Sequence, residues 1–183
     1  MTQQTETRTT TWTLDKSHSN VDFSVKHLMI STVRGHFRDF DATIELDEAN
    51  PESSTVSATV KTASIDTGEE QRDTHLRSDD FFNAEKYPEM KFRSTRIERL
   101  DETRFRLTGD LTIRDVTREA VLHGKYEGRI KDPWGNDRIA FTAEGSVSRN
   151  DFGVRWNQAL ETGGVVVGDK VKLTLRVEAV RRP

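Results

Sequence analysis

The sequence predicts an all-β protein: a lipocalin-like antiparallel β-barrel of about eight strands, with an apolar lumen and one short helix-loop insertion. Three observations carry this prediction. Apolar and polar residues alternate with a period of two over most of the chain. Clusters of turn-forming residues separate the alternating stretches. One long stretch, from Thr67 to Tyr87, lacks the alternation.

The strand pattern is clearest in the second half of the chain. Apolar or small residues occupy every second position from Phe105 to Ile113, from Ile139 to Val147 and from Val171 to Ala179. Charged and hydroxyl residues fill most of the positions between them. Between Val33 and Leu46 the alternation changes phase, which predicts a β-bulge near Arg38–Asp39.

The stretch without alternation predicts one short helix and a loop that lie over an end of the barrel. Asp66 or Thr67 is a candidate N-cap, and Pro88 is a candidate stop signal. A charged front around Glu69 is followed by apolar residues such as Leu76. This arrangement favours a lid with a wet side and a dry side, although a plug that only completes the core is an alternative.

The distribution of charge indicates which way the strands face. Their polar faces are dense with Arg, Lys, Glu and Asp, which face lipid only at high cost. The apolar faces therefore point inward, where a wide barrel leaves a cavity for an apolar ligand. A closed, packed core is the alternative. The small residues Gly109, Ala143 and Gly145 favour the cavity, because we expect them to leave room in the lumen.

Composition limits the classes of function. Hydrophobic residues make up only 33% of the chain, which suits a thin-walled barrel because each strand needs one apolar face. A net charge of −3 gives no electrostatic footprint for a nucleic acid partner. No stretch approaches the ~20 apolar residues of an integral membrane segment. Residues 1–11 are polar and lack the features of a signal peptide. We therefore expect a disordered N-terminus at 1–11, a single domain at 12–183 and a cytoplasmic protein.

No motif points to catalysis or to a bound metal. The five histidines have no metal-ligand spacing, and the chain has no cysteine. Gly163–Lys170 only superficially resembles a phosphate-binding loop, since Asp169 stands where the lysine belongs. No nucleophile elbow is present. We expect no catalytic residue, no metal and no cofactor.

Four motifs resemble those of the YceI-like family. They are the opening run Asn20–Leu28 with Val33–Phe37, the block His75–Phe82 that ends at Glu85–Pro88, the turn Arg149–Val154 and the closing run Val167–Val171. The resemblance spans Trp12 to Val180. It implies an eight-stranded lipocalin-like barrel that holds a polyisoprenoid, an isoprenoid quinone or a similar long amphiphile. It implies no catalytic residues, and many relatives are exported.

The predicted ligand site combines a lumen with a mouth. Residues expected to line the lumen are Phe105, Leu107, Leu111, Ile113, Phe141, Ala143, Val147, Leu173 and Leu175. Residues expected at the mouth, near the ligand's headgroup, are His75, Arg77, Phe81, Phe82, Arg149, Arg155 and Trp156. The function predicted from this site is non-enzymatic binding, storage or transport of a long-chain isoprenoid lipid. A lipid-modifying enzyme and a stress-protective barrel without ligand are the alternatives, and a homodimer stays open.

Overall fold

Eleven strands and one α-helix form the framework of residues 8–183, the part of the chain that the computed structural model describes. The strands are β1 (Thr9–Leu14), β2 (Asn20–His27), β3 (Ser31–Phe37), β4 (Phe40–Asp47), β5 (Thr55–Lys61), β6 (Ile65–Asp66), β7 (Glu89–Arg99), β8 (Arg104–Ile113), β9 (Val116–Lys131), β10 (Asp137–Ser148) and β11 (Val167–Arg181). The helix is α1 (Glu70–Arg77). All the strand pairings are antiparallel.

The eleven strands amount to eight long ones, because three of the long strands are interrupted. β1 and β2 both pair with β11, one after the other. β4 pairs with β1 and β3 pairs with β2, so these two also form one line. β5 and β6 continue each other in the same way along β4 and β3. Each long strand pairs with the next one in the chain, and β11 pairs back to β1 to close the barrel. The predicted fold class is confirmed.

The interruption between β3 and β4 lies at the phase change seen in the sequence. Instead of a β-bulge, the chain leaves the strand for two residues, Arg38 and Asp39. Their main-chain groups bond to the residues that interrupt the neighbouring strand between β5 and β6. Arg38 N–H donates to Ser64 O, and Asp39 O accepts from Lys61 N–H. Phe37 and Phe40 on either side are both buried, so the break keeps each half of the strand facing the interior.

The predicted disordered N-terminus differs in part from the structure. Residues 1–7 of that segment lie outside the described residues. Thr9, Thr10 and Thr11 belong to β1 and pair with the end of β4. Regular structure therefore begins before the predicted domain boundary at Trp12.

The predicted helix is present, but its N-cap is Glu69. The carboxylate of Glu69 accepts hydrogen bonds from the backbone N–H groups of Gln71 (3.0 Å) and Arg72 (2.7 Å). Thr67, one of the two expected caps, has another role: its N–H and its hydroxyl both donate to the buried carboxylate of Asp73. The loop before the helix is thereby tied to the first turns of α1.

The barrel has two different ends. The helix end carries α1, the β2–β3 turn and the chain between β10 and β11. A buried cluster that includes Phe37, Ile65, Phe81 and Phe152 packs there. The turn end carries the β4–β5, β7–β8 and β9–β10 connections, and its buried cluster is centred on Trp12. The interior between these two clusters is not filled.

Candidate functional site

A cavity of about 660 Å³ occupies the interior of the barrel. Inward-facing residues of nearly every strand line it, and most of them are aliphatic or aromatic. All nine residues that the sequence placed in the lumen line this cavity: Phe105, Leu107, Leu111, Ile113, Phe141, Ala143, Val147, Leu173 and Leu175. Their contact with a ligand stays a prediction.

Two glycines in the wall do not leave the room that we expected of them. A Cβ on Gly109 would lie 2.5 Å from the ring of Phe92, and one on Gly145 would lie 2.7 Å from a methyl group of Leu122. Neighbouring side chains therefore already cover both glycines. Gly124 is also covered by a neighbouring side chain, the ring of Phe105. These glycines let large side chains lie close against the wall, and the lumen stays open beyond them.

An aromatic cluster covers the cavity at the helix end. The ring centroids of His75, Phe81 and Trp156 lie 4.7–5.5 Å from one another. Phe81 is buried and, together with Phe82 and Leu76, lines the cavity. His75 and Trp156 lie outside the lining. Four of the predicted mouth residues thus meet at this end, with two phenylalanines facing inward.

The segment that carries these aromatics is held by an arginine of the β8–β9 turn. The guanidinium of Arg114 donates to the backbone oxygens of Asp79 (2.8 Å) and Phe81 (2.9 Å) and to the Asp79 carboxylate (3.0 Å). In the described part of the chain, no strand ladder crosses this position: β6 has only two residues and pairs there with β3 alone. Side chains and short turns, instead of a sheet, therefore close the gap between β6 and β7.

Two of the predicted mouth arginines bond mainly to the backbone. Buried Arg149 donates to the carbonyl oxygens of Gly168, Val154, Trp156 and Val167. Its burial lowers the pKa of the guanidinium, although nearby Asp169 opposes that shift. Arg77 donates to the carbonyls of two residues before α1 and pairs with Glu70 at 3.4 Å. Both side chains fasten loops at the helix end.

The other two polar mouth residues keep more of their hydrogen-bonding capacity. Arg155 is exposed and makes one long hydrogen bond, from Nε to the carbonyl of Asn150 at 3.3 Å. His75 Nε2 lies 2.8 Å from Asp80 Oδ2, and about two fifths of the His75 side chain is exposed. A charged or hydroxyl group at the helix end could bond to either of them.

The turn end has a floor that the sequence did not reveal. Trp12 is completely buried, and the guanidinium of Arg129 lies over its ring. Arg129 forms ion pairs with Glu48 (3.2 Å) and Asp137 (3.3 Å), and so joins three strands or their ends. Exposed polar residues of the β4–β5 and β7–β8 connections also line the cavity here, and Arg99 N–H donates to Glu52 at 2.9 Å across them. A shift in register at Gly128 turns Arg129 inward, which strict alternation could not predict.

Residues 12–179 match the YceI-like domain family. The chain belongs to the YceI-like family. It is 39% identical over 165 residues to the protein YceI of Escherichia coli O157:H7, a match that covers 90% of this chain and 83% of that relative. The resemblance stated from the four motifs is confirmed.

Solved structures of the YceI-like fold agree with the barrel. The YCEI protein of Campylobacter jejuni superposes with a TM-score of 0.74 at 37% identity, covering 93% of this chain and 97% of the other. A structure described as a polyisoprenoid binding domain from Saccharophagus degradans superposes with a TM-score of 0.64, covering 93% and 98%. At 12% identity, the second match shows the fold alone.

One cluster in the described part of this YceI-like domain has the donor atoms of a metal site. Ligand atoms of Asp15, His18 and Glu178 lie within 4.8 Å of one another. The positively charged guanidinium of Arg138 bridges the two carboxylates: its Nη1 donates to Asp15 (2.7 Å) and to Glu178 (3.0 Å). Hydrogen bonds from Ser17 and Arg138 lower the pKa of Asp15. The absence of a bound metal stays a prediction, which elemental analysis of untreated protein checks.

No helix among residues 8–183 has the length and hydropathy needed to cross a membrane.

Proposed function

We propose that this YceI-like protein binds a long-chain amphiphile in its lumen, without catalysing a reaction on it. The best candidates are a polyisoprenoid and an isoprenoid quinone, held for storage or transport. The observation that carries this proposal is the apolar cavity of about 660 Å³ that the barrel encloses. The description of the Saccharophagus degradans domain supports the same class of ligand.

The energy available from burial is sufficient for such a role. Moving one methylene-sized unit out of water gains about 0.8 kcal/mol. Roughly ten such units match the ~8 kcal/mol of a micromolar complex. Isoprenoid chains offer several times that number, so the fit of the chain and the opening of the barrel would limit binding.

The composition of the lining favours binding over catalysis. Among residues 8–183, no histidine lines the cavity, although histidine is the commonest general acid or base. Buried side-chain nitrogen and oxygen atoms in this part of the chain all have hydrogen-bond partners. An activated nucleophile would need a base beside it inside the lumen. This lining therefore supports sequestration.

Comparison of the two ends supports ligand uptake at the helix end. At the turn end, Arg129 and its ion pairs hold the floor together, and β1–β11 pairing closes the wall. At the helix end, the segment around α1 covers the lumen together with the chain between β10 and β11, where Val154 lines the cavity. Within residues 8–183, opening the α1 segment breaks no strand ladder. We place the polar group of the ligand near His75 and Arg155, with Trp156 beside it. The polar rim of the turn end is the competing position.

Native mass spectrometry of freshly purified protein tests this function most directly. We expect a co-purified lipid mass, and uptake of solanesol, a long polyprenol, by protein from which lipid has been removed. A bare mass together with no uptake of solanesol would contradict the proposal and favour a barrel without ligand. Chemical conversion of a lumen-bound polyprenyl ester would instead show an enzyme.

A matched pair of variants tests whether the lumen is the site. Leu111 lines the cavity, whereas Thr112 faces outward and bonds to Thr117 across the β8–β9 pair. We expect Leu111→Glu to abolish solanesol uptake or folding, because it places a charge in the apolar interior. Thr112→Glu should keep both, with a stability change within ~0.5 kcal/mol. Equal damage from the two substitutions would contradict the inward assignment of Leu111.

A further inference from the structure

The turn between β2 and β3 has a backbone that its residues do not favour. Ile30 N–H donates to His27 O, and the two residues between them, Leu28 and Met29, have φ angles of 51° and 63°. Asn and Gly are the usual residues where a hairpin turn needs two positive φ angles. Bulky residues rarely adopt them. The choice of Leu28 and Met29 therefore does not follow from the geometry of the turn.

The core does not explain these residues either, because they are exposed. The exposed fractions are 39% for Leu28, 61% for Met29 and 85% for Ile30. Val165, on the neighbouring loop, is also exposed. Leu28 N–H donates to Val166 O at 2.8 Å, and Met29 Sδ lies against Gly164, so turn and loop adjoin. We call Leu28, Met29, Ile30 and Val165 the apolar tip.

Four basic residues lie next to the apolar tip on the outer face of the barrel. Arg34 and Lys172 are both paired with Ser24, so they share its face of the sheet. Lys26 and Lys170 lie two residues further along their strands and share that face as well. All four are exposed, and within residues 8–183 none is within ion-pair distance of a carboxylate. By contrast, Arg176, further along β11, pairs with Asp22 at 3.5 Å. We call these four residues the basic row.

We propose that the apolar tip and the basic row dock this protein on an anionic lipid bilayer. The tip would insert among the headgroups, and the row would lie against the lipid phosphates. Apolar side chains beside clustered Lys and Arg bind such surfaces by combining burial with electrostatic attraction. The protein as a whole carries a net charge of −3, so the attraction is local to this face.

The small size of the tip favours a bilayer over a protein partner. Four apolar side chains fall far short of the roughly 20–30 residues that each side of a stable protein interface contributes. Insertion into a headgroup layer needs no such area. The position also suits a lipid carrier, because the tip lies at the helix end, where α1 covers the lumen. In this respect the inference rests on the proposed function, since docking would bring the opening of the barrel to the membrane that holds the ligand.

Vesicle flotation tests the docking surface without any lumen ligand. We expect the protein to float with vesicles of phosphatidylcholine and phosphatidylglycerol but not with phosphatidylcholine alone, and high salt should release it. The double variant Leu28→Asn/Met29→Gly supplies the residues that the turn prefers, so it should fold at least as well as the wild type. We expect it to lower the bound fraction at least fivefold. Lys170→Gln/Lys172→Gln should lower binding to a similar extent.

Two controls make the outcome specific. Ile130→Asn removes an exposed apolar side chain at the opposite end of the barrel and should leave flotation unchanged. Solanesol delivered from cyclodextrin should still enter the Leu28→Asn/Met29→Gly variant, so a failure of docking and a failure of lumen binding give different results. Wild-type protein that does not float with anionic vesicles would overturn the proposal. Equal flotation of the Leu28→Asn/Met29→Gly variant and the wild type would also overturn it. So would a wild-type dimer that this variant dissociates, if neither protein binds vesicles, because the tip would then be a contact between two copies of the chain.

Discussion

The guanidinium of Arg129 lies over the indole ring of Trp12, 5.2 Å from the ring centroid. The same group bonds to Asp137 and Glu48. Burial alone would lower the pKa of Arg129, but these hydrogen bonds raise it. The Arg129 side chain thus covers Trp12, the largest fully buried residue. It also joins β9 and β10 to the end of β4, across the β1–β11 pair that closes the barrel.

Replacement of Arg129 should weaken the floor of the barrel. Arg129→Met leaves Glu48 and Asp137 without their cation and removes the cation–π contact with Trp12. We expect a loss of about 1–2 kcal/mol in the free energy of unfolding, measured by urea titration. Arg129→Lys keeps the charge but cannot bridge both carboxylates equally well, so its stability should fall in between. Wild-type stability of Arg129→Met would show that the floor does not depend on this residue.

Gly124 should control the free volume of the lumen. A Cβ at this position would overlap the ring of Phe105, which lines the cavity. Gly124→Ala therefore has to move the ring inward, and we expect solanesol affinity to fall about tenfold (~1.4 kcal/mol). The double variant Gly124→Ala/Phe105→Leu removes the overlap and should recover most of that affinity. Failure of the second substitution to restore binding would mean that Gly124 acts by another route.

Hydrogen exchange distinguishes a lid from a plug at the helix end. If Thr67–Tyr87 is a lid, its amides should exchange faster than the strands in ligand-free protein and slow when solanesol is added. Arg114→Ala removes the bonds to Asp79 and Phe81 and should speed exchange there further. Strand-like protection that does not respond to ligand would identify a fixed plug and place uptake elsewhere.

Acid should destabilise the fold through aspartates at the turn end. Burial raises the pKa of Asp132, but hydrogen bonds from Arg138 and Asn136 outweigh it and lower the pKa from 3.8 to about 2. A carboxylate with a lowered pKa in the folded state stabilises the fold above its unfolded value and loses that contribution as pH falls. Wild-type stability should therefore decline between about pH 4 and pH 2.

The Asp132→Asn variant isolates this contribution. It should be less stable than wild type near neutral pH, and the difference should shrink towards pH 2, as followed by urea unfolding. Asp115→Asn, in the β8–β9 turn, changes an aspartate without an ion pair among the described residues and should follow the wild-type profile. A constant difference between Asp132→Asn and wild type across this range would rule out titration of Asp132 as the cause.

Sequence reasoning succeeded where strands are long and regular. Lumen residues such as Phe105, Phe141 and Leu173 follow from strict alternation in β8, β10 and β11, because a period of two leaves one choice of face. It missed Arg129 because the irregularity at Gly128 breaks the period. It could not tell that Arg149 bonds to backbone carbonyls, since residue type alone does not show which partners an arginine has.

The loop around α1 shows a second limit of sequence reasoning. Residue preferences pointed to Asp66 or Thr67 as the N-cap, whereas Glu69 has that role. Thr67 instead bonds to Asp73, a contact within the loop that no periodic pattern encodes. The roles of Gly109 and Gly145 were misread for a similar reason: a side chain on the neighbouring strand covers each glycine, and the sequence of one strand does not show it.

The pairing of β11 with both β1 and β2 has a consequence for how the barrel forms. Every other long strand pairs with its neighbour in the chain, so an open sheet can grow hairpin by hairpin as the chain is made. Closure has to wait for the last strand, which brings together the most distant parts of the sequence and carries the largest loop entropy cost. Until then, two unpaired strand edges and one whole apolar face stay in water, which is the state most exposed to aggregation. Damage to the final strand should therefore appear first as poor yield of soluble protein and only afterwards as weak ligand binding.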